Sequence, residues 1–215
     1  MKYTEKQIDA LREAIKGRLS EKRFNHTLGV EAMAVKIAKK CLPEKINELR
    51  VAALLHDISK EYSEAEHFEI AKKHNASFSE ADLMTPALWH SITAPLVVMD
   101  EFSLFATDEI KGAIRNHTAG SPDMSAFDEI IFLADYIEEG RTFLMCTEVR
   151  EEYFKEIMTA KTREECILVL HRAMVLSLEN TIKWFVSRGK TYHERTVLTR
   201  DAILKKLERQ NNGSN

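Results

Sequence analysis

Several polar side chains sit where a helical sequence should be apolar. His26 precedes Val30, Met33 and Ile37 by four, seven and eleven residues, which places it on their helix face. His56 shares a second apolar face with Leu49 and Ala53, and Asp57 follows it directly. His117 lies on the face of Ile110, Ala113 and Ile114, and Asp135 stands four residues after Ile131 and eight after Phe127. An ionised aspartate on a buried face is costly unless it is paired or binds a cation. Several such groups in a short chain point to one shared positive charge. A divalent transition metal is the natural candidate, because imidazole and carboxylate ligands suit zinc, iron, manganese or nickel. Adjacent residues are about 100° apart around a helix, so His56 and Asp57 can both lean toward one ion near the helix end. Ligands from other helices would complete the site, and an open position would activate a water toward an electrophile.

The chain has eight histidines, and a lone histidine on an apolar face is ordinarily a hydrogen-bonded core or capping residue. His67, His74 and His171 are read that way. His171 also lines up with Ile167, Met174 and Leu178, so position on a face does not by itself mark a ligand. Asp135 alone would fit a helix N-terminus or an arginine partner. The distinguishing feature is the adjacent His-Asp pair inside the apolar run Val51-Ala-Ala-Leu-Leu-His-Asp-Ile-Ser-Lys60.

The elements that must position these groups are helices. Thr4 with Gln7 forms a capping box ahead of Ile8, Leu11, Ile15 and Leu19. Phe24, Val30, Met33 and Ile37 mark a second helix, and Pro43 suits the first turn of a third carrying Ile46, Leu49, Ala53 and Leu54. Ser63 with Glu66 caps a short helix. Thr85-Pro86 opens another, which Pro95 is expected to kink or end near Ser91. Further helices start at Thr107, at Ser125 after the Gly120-Ser121-Pro122-Asp123 turn, and at Thr162, whose capping box with Glu165 leads a long helix ending near Gly189. A last helix covers roughly Val197 to Leu207, and the polar tail 208–215 is expected to be disordered. No period-2 strand or internal repeat appears. The expectation is an all-α fold with one domain over residues 1–207.

Composition sets the outer limits. The 215 residues can bury a full core without metal or disulfide staples, and 44% hydrophobic with 30% charged residues is ordinary for a soluble globular protein. Only 7 glycines and 4 prolines are present, and no glycine-rich phosphate loop occurs. A net charge of −3 argues against a nucleic-acid polymer as partner, though it leaves room for a local basic pocket that takes a small anion. Cys41, Cys146 and Cys166 are far apart and form no C-x-x-C motif. The polar start and the lack of a long apolar stretch predict neither a signal peptide nor a membrane span, hence a cytoplasmic protein.

The order His26, His56-Asp57 and a distant Asp135 resembles the HD superfamily of metal-dependent phosphohydrolases. More closely, the chain resembles the YqeK-type symmetrical bis(5′-nucleosyl)-tetraphosphatases over roughly residues 20 to 205. Arg23-Phe24-Asn25-His26 looks like that family's opening motif, and Leu88-Trp89-His90 and Asn116-His117-Thr118 look like its middle histidine motifs. Asp135-Tyr136-Ile137-Glu138-Glu139-Gly140-Arg141 is similar to its Asp-x-Ile-Glu-Pro-x-Arg segment. Thr191-Tyr192-His193-Glu194-Arg195-Thr196 with Arg200-Asp201 is similar to its closing pattern. Glu139 and Glu194 stand where the family has proline, which affects loop rigidity and removes no ligand.

The resemblance implies a helical HD-type bundle and a metal held by His26, His56, Asp57 and Asp135. It implies iron as that metal, and diadenosine tetraphosphate cut in the middle to two ADP. Asp57 would both bind metal and orient the attacking water. Lys60, one helical turn later, and the forked donors Arg23 and Arg141 would contact phosphates. His90 and His117 would contact phosphate, ligate a second ion or donate a proton to the leaving oxygen. Ile58, Ser59 and Thr118 complete the phosphate side, and Thr191, His193 and Thr196 the nucleoside side. Two other readings use the same residues. One is an HD phosphohydrolase acting on a deoxynucleotide or a guanosine signalling nucleotide. The other is a non-catalytic nucleotide-binding helical domain. The ion number and a homodimeric state are left open at this point.

Overall fold

A computed structural model describes residues 2–212, with side chains described through 210. Eleven α-helices and no strand are found among these residues. They are α1 (Glu5–Lys16), α2 (Glu21–Cys41), α3 (Ile46–Leu55), α4 (Glu64–Lys73), α5 (Glu80–Leu83), α6 (Trp89–Glu101), α7 (Asp108–Asn116), α8 (Ala126–Ile137), α9 (Leu144–Ile157), α10 (Arg163–Val186) and α11 (Glu194–Asn212). Short 3₁₀ turns at Pro43–Lys45 and Pro86–Leu88 lead into α3 and α6, where proline's missing N–H costs nothing. The capping boxes read at Thr4, Ser63 and Thr162 all form, each joining an N-cap hydroxyl to an amide three residues on.

The central element is α3. It packs against α1, α2, α7 and α8, and Leu49 and Val51 through Leu55 have no exposed surface at all. A helix that is apolar on every side must lie in the interior. The chain therefore leaves α3 at His56 deep inside the molecule, and this burial creates the setting for the polar groups that follow. Helix α2 covers α3 with Val30, Met33 and Ile37, while α8 brings Ile130, Ile131 and Ala134 to the same core. On the other side α7 packs against α6 and α8, and α10 joins α8, α9 and α11.

Three features depart from the sequence reading. Helix α6 continues through Pro95 to Glu101 instead of ending near Ser91. Pro95 cannot donate to the Ser91 carbonyl, but Ile92, Ala94, Val97 and Val98 are buried along the same helix, and that packing outweighs one missing bond. Helix α9 was not anticipated, although Cys146, Val149, Tyr153 and Ile157 are buried at helical spacing. Helix α11 begins at Glu194 and continues through Asn212, so the segment from 208, expected to be disordered, is helical as far as 212. Residues 213–215 of that tail lie outside the described residues. An internal ion network anchors α11. Lys206 donates to the Met124 carbonyl at 2.8 Å and to Glu129 Oε1 at 2.7 Å, and His171 Nε2 lies 3.1 Å from Glu129 Oε2. Glu129 is fully buried, so this network fixes α8, α10 and α11 in one arrangement.

Candidate metal centre

Two histidines occupy matching positions at helix ends. His56 is the C-cap of α3 and His117 the C-cap of α7. The last carbonyls of a helix lack intrahelical donors, and each imidazole folds back to supply one. His56 Nδ1 donates to the Ala53 carbonyl and His117 Nδ1 to the Ile114 carbonyl, both at 2.6 Å. With the proton fixed on Nδ1, each Nε2 turns a lone pair inward. His26 is set differently, from the interior of α2. Its Nδ1 donates to Glu138 Oε1 at 3.2 Å, which again frees Nε2. Glu138 is itself held by the Gly140 amide at 2.6 Å. These are the imidazole–carboxylate and imidazole–carbonyl pairs that typically stand behind metal-ligating histidines.

Asp57 lies between two groups of imidazoles. Its Oδ2 is 3.3 Å from His56 Nε2 and 3.7 Å from His26 Nε2, while its Oδ1 is 3.2 Å from His90 Nε2 and 3.6 Å from His117 Nε2. Asp135, near the end of α8, faces the first group, with Oδ1 3.0 Å from His26 Nε2 and 3.9 Å from His56 Nε2. Ligand atoms of His26, His56 and Asp57 lie within 4.8 Å of one another, as do those of His56, His117 and Asp135, and those of Asp57, His90 and His117.

The residues fit a cation. His26 Nε2 and His56 Nε2 are buried and have no hydrogen-bond partner, although acidic oxygens surround them. The imidazole rings pack edge to face, His56 against His26 at 5.5 Å and against His117 at 4.9 Å, and His90 against His117 at 5.0 Å between centroids. Several imidazolium ions could not share that space, but neutral rings around one or two cations can. Burial pushes the His26 imidazole down, but the Asp135 and Glu138 carboxylates outweigh it and raise it to about 9. Burial would raise the Asp57 carboxyl, yet the imidazoles of His56, His117 and His90 hold it well below the ordinary carboxylate range. Asp135 is held low in the same way, chiefly by Arg141 against the opposing effect of burial.

Basic groups surround the acidic ones. Arg23 donates to Asp57 Oδ2 at 2.6 Å and Arg141 to Asp135 Oδ1 at 2.6 Å. Lys60 donates to the Ala87 carbonyl at 3.0 Å and lies 3.2 Å from His90 Nδ1, and burial lowers its pKa. His90 Nε2 and His117 Nε2 are 3.1 Å apart. Thr118 has a buried hydroxyl without a partner. The chemistry this allows is displacement at an electron-poor, anionic centre. Acidic and imidazole groups would hold a cation, and arginine and lysine would meet the anion.

The structure gathers Arg23, His26, His56, Asp57, Lys60, His90, His117, Asp135 and Arg141 into one cluster. The side chain of Ile58 points into the core, at 1% exposure. The Ser59 hydroxyl is also buried, 2.9 Å from Thr93 Oγ1 and 3.3 Å from the His90 carbonyl, where it ties the His-Asp segment to α6. Thr191 is exposed. His193 and Thr196 are buried at the start of α11; His193 Nε2 lies 3.3 Å from Asp82 Oδ1, and neighbouring Arg195 donates to Asn116 at 2.8 Å. That segment therefore adjoins the His117 side of the cluster.

Two contributors were not read from the sequence as site residues. Glu138 orients His26. Arg150 donates to the Ile137 carbonyl at 2.6 Å, to the Arg141 carbonyl at 2.8 Å and also to the Glu138 carbonyl, and so fixes the loop that carries Glu138 and Arg141. The signal for Glu138 lay in the segment Asp135–Arg141, but its partner is known only from the fold. Glu138→Ala is expected to lower metal affinity by about 10–100-fold, with Glu138→Gln recovering part of it. Competition against a chelator measures this, and unchanged affinity in the alanine variant would remove Glu138 from the site.

The sequence profile of the HD domain matches residues 23–140, more than half of the chain. The chain is 30% identical over 194 residues to the symmetrical bis(5′-nucleosyl)-tetraphosphatase of Halalkalibacterium halodurans, covering 89% of this chain and 94% of that one. It is 29% identical over 185 residues to the protein of the same name from Bacillus subtilis, covering 86% and 91%. In three dimensions it resembles a Clostridium acetobutylicum protein described as a predicted HD superfamily hydrolase involved in NAD metabolism. The TM-score is 0.78 at 28% identity, over 92% of this chain and 97% of the other.

Proposed function

Because the chain belongs to the HD-domain family and to its symmetrical bis(5′-nucleosyl)-tetraphosphatase branch, we propose that it hydrolyses diadenosine tetraphosphate at the middle of the bridge, giving two ADP. The observation that carries this reading is the convergence of His26, His56, Asp57 and Asp135 from α2, the end of α3 and α8, with two buried imidazole nitrogens that make no hydrogen bond yet face carboxylate oxygens. These four residues would hold a divalent transition metal, and iron is the ion implied by the family resemblance. Asp57 Oδ1, His90 and His117 would hold a second. Such ions supply Lewis acidity, polarising a phosphoryl oxygen and making water a better nucleophile near neutral pH.

The remaining work falls to the chain's own side chains. The leaving group is a phosphate and needs little protonation, so catalysis is mainly positioning and charge stabilisation. Arg23 commits one N–H to Asp57 and Arg141 commits two to Asp135, and both keep further donors for phosphate oxygens. Lys60 adds an ammonium beside His90. Burial holds the His90 imidazole neutral, well below its ordinary pKa, so with Nε2 near Asp57 Oδ1 it can orient a water or pass a proton without adding charge. Thr191, His193 and Thr196 would face one nucleoside. A cytoplasmic setting fits the three unpaired, buried cysteines, and no helix among the described residues is long and apolar enough to cross a membrane.

Product analysis tests the reading. Two ADP per diadenosine tetraphosphate, with no other nucleotide, is the expected outcome. AMP plus ATP would overturn the symmetrical cut. Inertness toward this substrate with turnover of a deoxynucleotide would reassign the substrate.

A further inference from the structure

A substrate that is symmetric about its cleavage point carries a nucleoside at each end. On the proposed function the segment 191–196 takes one end. It lies on the α7 side of the cluster, where Arg195 meets Asn116 next to His117. With Asp57 at the centre, a bridge cut in its middle must leave the cluster on the opposite, His26 side. A groove of about 570 Å³ opens there between the start of α2 and the segment 138–143. That size lies within the roughly 300–1,000 Å³ of small-molecule sites. Arg23, His26 and Arg141 form its inner end, so it is continuous with the metal cluster, and Lys22, Asn25 and Phe143 line its outer part.

We propose that this groove is a second nucleoside subsite, with Phe143 as the platform on which the base stacks. The inference rests on the reading of the chain as a dinucleoside tetraphosphate hydrolase. Phe143 is 70% exposed, yet its backbone is firmly placed. It is the N-cap residue of α9, its carbonyl accepts from the Cys146 amide at 2.8 Å and the Thr147 amide at 3.1 Å, and Arg150 holds the loop just before it. A fixed main chain that presents a free aromatic face beside charged donors is how proteins bind a base by stacking. Lys22 and Arg23 supply cations toward the bridge, and exposed Asn25 offers a donor and an acceptor to the sugar or base edge. Gly29 keeps the groove wall at backbone level, because a Cβ there would meet Glu138 Oε2 at 2.5 Å.

The test uses calorimetric binding to the metal-loaded protein. The probes are a methylene-bridged diadenosine tetraphosphate, which carries both nucleosides, and adenosine 5′-tetraphosphate, which carries one. Phe143→Ala is expected to weaken the two-nucleoside ligand by about tenfold. The one-nucleoside ligand should change less than about twofold, and Phe143→Trp should restore tight binding of the larger ligand. Equal weakening of both ligands, or no change in either, would overturn the subsite. These outcomes are separable from failure of the parent reading, which would appear as wild-type protein that releases no ADP from diadenosine tetraphosphate.

Discussion

Asp57→Ala is expected to lower the rate of ADP release by at least about a thousandfold and to leave the protein folded. The size of the effect follows from the position of the carboxylate. Oδ2 faces His26 and His56 at 3.7 and 3.3 Å, and Oδ1 faces His90 and His117 at 3.2 and 3.6 Å. One carboxylate oxygen thus faces each half of the cluster, so the substitution removes an anion that both halves share. The fold should tolerate the change. Asp57 lies after the end of α3, and the guanidinium it releases, that of Arg23, belongs to a side chain 26% exposed that can turn to water. A steady-state assay with a melting curve checks both parts. Turnover of Asp57→Ala within tenfold of wild type would reject the role given to this residue. Unfolding of the variant would be met by Asp57→Asn, which keeps the shape and loses the charge, and which is expected to be just as inactive.

The second large effect is expected at Arg141. Its Nη2 donates to Asp135 Oδ1 at 2.6 Å and its Nε to the Asp135 carbonyl at 3.1 Å. The guanidinium thus aims a candidate ligand and lines the groove between the start of α2 and the segment 138–143. Asp135 raises its pKa further above the ordinary arginine value, so its charge is permanent across any working pH. Arg141→Ala should lower kcat/KM by about a hundredfold or more, because it removes a transition-state donor and loosens Asp135 together. Arg141→Lys keeps the charge but cannot make both bonds, and it should recover only a small part of the loss. Recovery to within twofold would mean that charge alone suffices and that the fork has no role.

Much of the centre was legible in the sequence because its cost is legible. His26, His56, His117 and Asp135 each occupy a position that periodicity assigns to the core, and the fold does bring them together around Asp57. The run Val51 to Leu55 explains why: a helix buried on every side carries whatever follows it into the interior. Residues that act through the backbone were not visible. Arg150 looks like one charge among several on a surface helix, and only the loop folded over it reveals that it donates to the Ile137 and Arg141 carbonyls. Pro95 misled in the opposite direction. Local chemistry predicts a kink or an end near Ser91, and with Ile92, Ala94 and Val97 buried on the same helix it does not end there. Ile58 and Ser59 directly follow the His-Asp pair. At a helix end, successive side chains diverge, and these two turn toward the core.

Hydrolysis is expected to depend on a metal held by the His/Asp cluster. Elemental analysis of the purified wild-type protein, followed by chelation and re-addition of metal during the ADP-release assay, tests it directly. The purified protein is expected to carry bound transition metal, to lose turnover as the metal is stripped, and to regain it when the ion is restored. Metal-free protein that releases ADP at the wild-type rate would contradict it.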